Sequence, residues 1–173
     1  IKTIIFRNTY TSHSFPILTH DFLTSLENEL SKFKQPFYEL AAGPGWFTYW
    51  LRQYNMITDG SDNLSWNKEA KITFDFQSWV KNQEATETVL KHPEAELFIL
   101  SWPYMDDLAY NVWEAMKPNQ YLLFIGEGYG GCTASDDFFD AVRNCEDENF
   151  DSLGASFISF YGIHDHPRIY RKQ

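Results

Sequence analysis

The apolar positions along this chain keep two rhythms, and the rhythms alternate. Phe22, Leu23, Leu26 and Leu30 recur at helical spacing after Thr19, a natural N-cap, and the helix they predict runs to about Phe33 before Pro36. Phe37–Ala42 then reads as a strand, and Trp46–Tyr54 as a helix with Phe47, Trp50 and Leu51 on one side. Met56–Gly60 is a second strand, and Lys71–Phe76 alternates weakly enough to suggest a third. Ser78–Lys91 is helical up to Pro93. "AELFILSW", residues 95–102, is a continuous apolar run that stops at Pro103, the pattern of a strand buried on both faces. Asp106–Met116 is the next helix, and "YLLFI", residues 121–125, the next buried strand. Ser135 or Asp136 caps a helix reaching about Cys145. Ala155–Tyr161 and Arg168–Arg171, separated by "GIHDHP", predict two antiparallel strands and their turn. Ahead of all this, Ile1–Phe6 suggests a short strand or extended arm, and Arg7–Phe15 a loop.

Strands that alternate with helices imply a parallel sheet covered on both faces, an α/β fold. Ligands of such sheets bind beyond the carboxyl ends of the strands, where the strand order reverses. The chain places acids, glycines and prolines at those ends: Glu39–Gly45, Asp62, Asp75, Ser101–Tyr104 and Gly126–Gly131.

Composition narrows the class. The 173 residues suit one domain, with residues 1–35 as an N-terminal arm and helix. No apolar run approaches the roughly 18 residues of a membrane span, and residues 1–36 are too polar to be a signal peptide. The net charge of −10 repels a phosphate backbone, which disfavours nucleic acid as a partner. Cys132 and Cys145 have no zinc or C-x-x-C spacing and fit a reducing, cytoplasmic setting. The pair His164 and His166 lacks a third ligand, so no metal site is expected, and their turn reads as a solvated hairpin tip.

The stretch "FYELAAGPGWF", residues 37–47, carries the most chemistry. Gly43 and Gly45 permit close backbone approach, and the following helix presents free N–H groups. Asp62, ending the adjacent strand, is placed to accept both hydroxyls of a ribose. The dinucleotide fingerprint G-x-G-x-x-G/A fails at Thr48, and a phosphate-binding G-K-[ST] is missing. Glu39 is unsuited to a pyrophosphate and suited to an amine.

Glu39-Leu40-Ala41-Ala42-Gly43-Pro44-Gly45, followed 23 residues after Glu39 by Asp62, resembles the first two motifs of class I S-adenosylmethionine (SAM)-dependent methyltransferases. The resemblance runs in layout from Phe37 to the C-terminus and departs from the motif at Ala41, where the family's first glycine stands. It implies a three-layer Rossmann-like sandwich, a mostly parallel seven-stranded sheet ending in an antiparallel hairpin, with SAM as cofactor. It further implies that Glu39 meets the methionine amine, that Ala41, Gly43 and Gly45 pass under the cofactor, and that Asp62 holds the ribose. Asp75 and Phe76 would contact the adenine, although only 13 residues separate Asp62 from Asp75.

Ser101-Trp102-Pro103-Tyr104 resembles the [DN]-P-P-[YFW] motif of amino-group methyltransferases, with serine in place of the acidic or amide residue. Ser101 would border both cofactor and acceptor, and Trp102, Pro103 and Tyr104 would shape an aromatic slot. Glu127, the ionisable group of "GEGYGG", is a candidate general base, and Tyr10, His13 and His20 are candidate lid or substrate residues. The reading that follows is SAM-dependent methyl transfer to an N or O atom of a small-molecule or protein acceptor. Its rivals are a non-catalytic binding protein of the same fold and an NAD-binding oxidoreductase domain.

Overall fold

The structure, a computed structural model, describes residues 2–65, 77–150 and 152–173. Its elements in chain order are α1 (Lys2–Thr11), α2 (His20–Leu30), β1 (Phe37–Leu40), α3 (Trp46–Gln53), β2 (Thr58–Asp62), β3 (Val80–Asn82), α4 (Ala85–Lys91), β4 (Leu97–Ser101), α5 (Leu108–Ala115), β5 (Tyr121–Gly126), α6 (Asp136–Val142), α7 (Ser152–Ser156) and β6 (His166–Arg171). The strands form one sheet in the order β3-β2-β1-β4-β5-β6. All neighbours are parallel except β6, which runs antiparallel to β5 from Tyr121↔Arg171 to Gly126↔His166.

Strand periodicity builds the three layers. Side chains alternate between faces along a strand. In β4, Phe98 and Leu100 therefore join Leu122, Phe124, Val112, Trp113 and Phe138 in the core under α4, α5 and α6. Leu97 and Ile99 join Leu123, Ile125, Phe22, Leu26, Leu30 and Leu51 in the core under α2, α3 and α7. Those four β4 side chains are fully buried, each contributing on the order of 1.5–3 kcal/mol of transfer free energy. Thr19 caps α2 as expected, its Oγ1 accepting the Phe22 N–H at 3.1 Å.

Four expectations need correction. The sheet has six strands among the described residues, not seven. Residues 155–161 are not a strand: α7 and an irregular run take their place, because Leu153 is drawn into the core and the Phe157 ring packs edge-on against Phe22 at 4.8 Å. Ile1–Thr11 was read as extended chain and loop, yet Lys2–Thr11 is helical. There tertiary contacts override β-branched propensity: the Tyr10 hydroxyl accepts the Leu18 N–H at 2.9 Å, and its ring meets Phe160 at 5.7 Å. Finally, Val80 pairs with Gly60 in the sheet, so the region read as one helix over 78–91 is a strand followed by a shorter helix. The suggested strand at 71–76 lies outside the described residues.

Candidate functional site

The sheet order reverses at β1, which lies between β2 and β4, and a cleft opens beyond the carboxyl ends of these three strands. Its walls include Glu39, Ala41–Pro44, Asp62 and Ser101–Tyr104, with Phe15 and His13 from the segment after α1 and Cys132 from the loop after β5. The enclosed space is about 120 Å³.

The loop after β1 makes three left-handed turns in five residues, at Ala41 (φ 49°), Gly43 (φ 53°) and Gly45 (φ 88°). Ala41 thus occupies a backbone conformation that glycine adopts freely and alanine adopts at a cost of roughly 1–2 kcal/mol. The two glycines do different work. Among the described residues a Cβ on Gly43 would meet nothing within 4 Å, and Gly43 lines the cleft. A Cβ on Gly45 would lie 2.3 Å from Val80 Cγ2 and 3.0 Å from Trp79 Nε1. Gly45 stands outside the cleft lining and lets Trp79 and β3 close on α3, with Trp79 Nε1 donating to the Gly45 carbonyl at 3.0 Å.

Asp62 bridges the motifs. Its Oδ2 accepts the Gly43 N–H at 2.9 Å and its Oδ1 accepts the Leu64 N–H at 2.7 Å. Burial raises its pKa against the opposing pull of those two hydrogen bonds. Glu39 is 2 % exposed, and burial drives its carboxyl up to about 8. The Thr48 hydroxyl donates to Glu39 Oε2 and partly offsets that rise, while the neighbouring Asp62 charge adds to it. Thr48, the residue that breaks the dinucleotide pattern, is fully buried against β2: a Cβ on Gly60 would stand 2.6 Å from its Oγ1. The close helix–sheet approach is therefore made by Gly60 on the strand. Neither role of Thr48 was anticipated, though its place nine residues after Glu39 is readable in the sequence.

Ser101 Oγ is buried without a hydrogen-bond partner among the described residues. Trp102 follows with φ 51°, a left-handed conformation for a bulky residue. Its N–H donates to the Ile125 carbonyl at 2.7 Å, and its Nε1 donates to Asp165 Oδ2 at 2.9 Å. Phe15 stacks on the indole, with centroids 5.5 Å apart and planes at 20°. His164 and His166 are exposed as expected, but Asp165 between them is only 6 % exposed, so the solvated tip holds for the histidines and not for the aspartate.

Glu127 lies outside the cleft lining. Burial tends to raise its pKa, but the N–H groups of Cys132 and His164, 2.8 and 3.1 Å from its carboxylate, outweigh this and lower it. It is built as a tether between two loops, and this geometry gives no support to the general-base assignment. His13 does line the cleft; its Nδ1 lies 3.2 Å from the Thr9 carbonyl. His20 instead meets the Tyr54 hydroxyl at 2.7 Å, and Tyr10 lines a neighbouring cavity with Trp46 and Trp50. Asp75 and Phe76 lie outside the described residues. Among the described residues no group of three or more His, Cys, Asp or Glu is placed to hold a metal ion, and no helix is long and apolar enough to cross a membrane.

The architecture has solved counterparts. A SAM-dependent methyltransferase from Archaeoglobus fulgidus superposes with a TM-score of 0.53 over 98 % of this chain and 99 % of its own, at 13 % identity. The fold is that of the class I SAM-dependent methyltransferases. A variant of MtNAS in complex with S-adenosylmethionine aligns at a TM-score of 0.50 and 13 % identity, over 88 % of this chain and 62 % of its own. Human N-acetylserotonin methyltransferase aligns at 0.45 and 16 % identity, over 99 % of this chain. The chain spans 55 % of that enzyme's length. No protein-family model matches the sequence, and no curated protein matches it.

Proposed function

We propose that this methyltransferase-fold chain binds SAM in the cleft beyond β1, β2 and β4 and transfers its methyl group to an N or O atom of a small-molecule or protein acceptor. The supporting observation is the convergence of Glu39, Asp62 and Ser101, from three different strands, around the open face of Gly43 in a single cleft. These groups fit the cofactor. Glu39 is a buried carboxyl suited to an ammonium, Asp62 retains acceptor capacity for ribose hydroxyls, and Ser101 Oγ is a polar atom unpartnered among the described residues, at the junction with the acceptor side. Bound SAM supplies an electrophilic methyl group on a sulfonium, which becomes a neutral thioether when the methyl leaves.

The chain's residues supply placement and a proton path. Trp102, Pro103 and Tyr104 wall the acceptor side, and alignment there supplies much of the rate. His13 takes the acceptor's proton. Ser12 Oγ donates to the Thr9 carbonyl at 2.7 Å, so the nearby His13 Nδ1 carries the hydrogen and Nε2 is left as the base. Residues 1–35 act as a cover of one methyltransferase-like domain, a role supported by the cleft contacts of residues 11–16. The free thiols Cys132 and Cys145 support a reducing compartment.

Parallel calorimetry with SAM, S-adenosylhomocysteine (SAH) and NAD tests the proposal. SAM and SAH should bind and NAD should not; binding of NAD alone would favour the oxidoreductase reading. A non-catalytic binding role draws support from the aromatic cluster of Trp46, Tyr49, Trp50 and Trp79 beside the cleft. SAM binding without transfer to any acceptor would select it.

A further inference from the structure

We infer that the Trp102 indole is a stacking platform for a planar aromatic small-molecule acceptor, and that Phe15 fills the acceptor's place until it is displaced. This deepens the methyl-transfer reading and rests on it for the word acceptor.

The platform is built at a structural cost. Trp102 is held at φ 51°, where bulky side chains are rarely found, and such strain persists only where the surroundings enforce it. Two hydrogen bonds enforce it here, from the backbone N–H to Ile125 and from Nε1 to Asp165. The second crosses 63 residues to a carboxylate that is 6 % exposed, whose other oxygen, Oδ1, is buried without a partner among the described residues. A buried carboxylate with one orphaned oxygen is expensive to keep for core packing alone. Its effect is to fix the rotation of the indole. Asp165 is therefore a positioning residue acting through Trp102.

The occupant's chemistry is indicated by what already lies on the platform. Phe15 offers a flat six-membered ring, nearly parallel to the indole at 5.5 Å. That ring is 38 % exposed and comes from the segment between α1 and α2, so only a modest apolar area holds it. With Phe15 in place the cleft encloses about 120 Å³, below the roughly 300–1,000 Å³ of common ligand sites. Displacing Phe15 opens a slot floored by indole and flanked by Pro103 and Tyr104, next to Ser101. A polynucleotide is a poor candidate for that slot, given the net charge of −10.

A matched pair of probes tests this: 2-naphthol, which is planar, and decahydro-2-naphthol, the same skeleton and hydroxyl without the aromatic faces. Each is titrated by calorimetry into the full chain, with and without saturating SAH. The planar probe should bind roughly three- to tenfold more tightly. Phe15→Ala should tighten 2-naphthol further by several-fold, because the competing internal ring is gone. Asp165→Ala should erase most of the planar preference, and Asp165→Asn, which can still accept from Nε1, should restore it. Equal affinity for the two probes overturns the proposal, as does a Phe15→Ala variant that binds 2-naphthol more weakly. Phe15 is partly exposed, so that variant should fold even if changes at Asp165 do not. Failure of SAH to bind would sink the cofactor reading alone, since the planar preference is measured without SAH as well.

Discussion

Glu39→Gln isolates the cost of keeping an acid in the core of the proposed cofactor site. In the folded chain the Glu39 carboxyl titrates at about 8; in an unfolded chain a glutamate titrates near 4.3. Between those values the unfolded chain releases its proton while the folded chain keeps it. The folded state then binds more protons, so stability falls as pH rises, by about 1.4 kcal/mol per pH unit. The accumulated cost is about 3–4 kcal/mol at pH 7 and levels off above pH 8. Glutamine has nearly the same shape, is neutral at every pH, and can still accept the Thr48 hydroxyl. Its buried amide adds a constant penalty of about 1–3 kcal/mol at most, so the readout is the pH slope of the difference, not its absolute value. Urea unfolding of both proteins at pH 5, 6, 7 and 8 should show the variant gaining about 3–4 kcal/mol on the parent across that range. Other titrating groups are common to both proteins and cancel. A difference that stays flat with pH would refute the burial of a protonated Glu39. The same variant should bind SAM more weakly, and SAM binding to the parent near pH 7 should release a proton, visible as a dependence of binding heat on buffer ionisation enthalpy. A carboxyl that lowers stability and raises affinity is a functional one; if both fall together, Glu39 is structural.

Three other outcomes are expected. Asp62→Ala should weaken SAM binding by at least about tenfold through lost ribose contacts and also lower the melting temperature, because the Gly43 and Leu64 N–H groups lose their acceptor; unchanged SAM affinity would show the ribose assignment to be wrong. Gly45→Ala should destabilise by well over 2 kcal/mol, combining a left-handed alanine with a Cβ 2.3 Å from Val80, whereas Gly43→Ala should cost only about 1–2 kcal/mol and instead reduce SAM affinity; equal stability losses in urea would contradict the assigned division of labour. Glu127 has a lowered pKa in the folded chain, so its tethering is present above the unfolded value near pH 4 and is lost as pH falls through the folded value; Glu127→Gln should flatten that acid limb and leave the pH profile of methyl transfer unmoved, and a shifted profile would return Glu127 to the role of base.

Much of the architecture was legible because it depends on local period. The apolar runs at 95–102 and 121–125 forecast β4 and β5, Leu97–Ser101 and Tyr121–Gly126, and the helical spacing of Phe22, Leu26 and Leu30 forecast α2. Because strand ends are local too, Glu39, Asp62 and Ser101 come together at one edge of the sheet, around one cleft. The failures came where tertiary contacts outweigh local preference. Residues 155–161 carry strand-forming residues, but Phe157 is claimed by Phe22 and the run leaves the sheet. Residues 2–11 look extended, yet the packing of Tyr10 favours a helix.

By itself the sequence determined the alternation of strand and helix and the acidic, glycine-rich edge, because burial periodicity and turn chemistry act within a few residues. Only the tertiary structure decided what each of those residues does. Gly43 faces open cleft while Gly45 yields to Val80, Glu127 is tied down by two N–H groups instead of facing the cleft, and Trp102 is fixed by an aspartate 63 positions away and covered by Phe15. Those outcomes depend on which loops the sheet brings together, and no pattern confined to neighbouring residues records that.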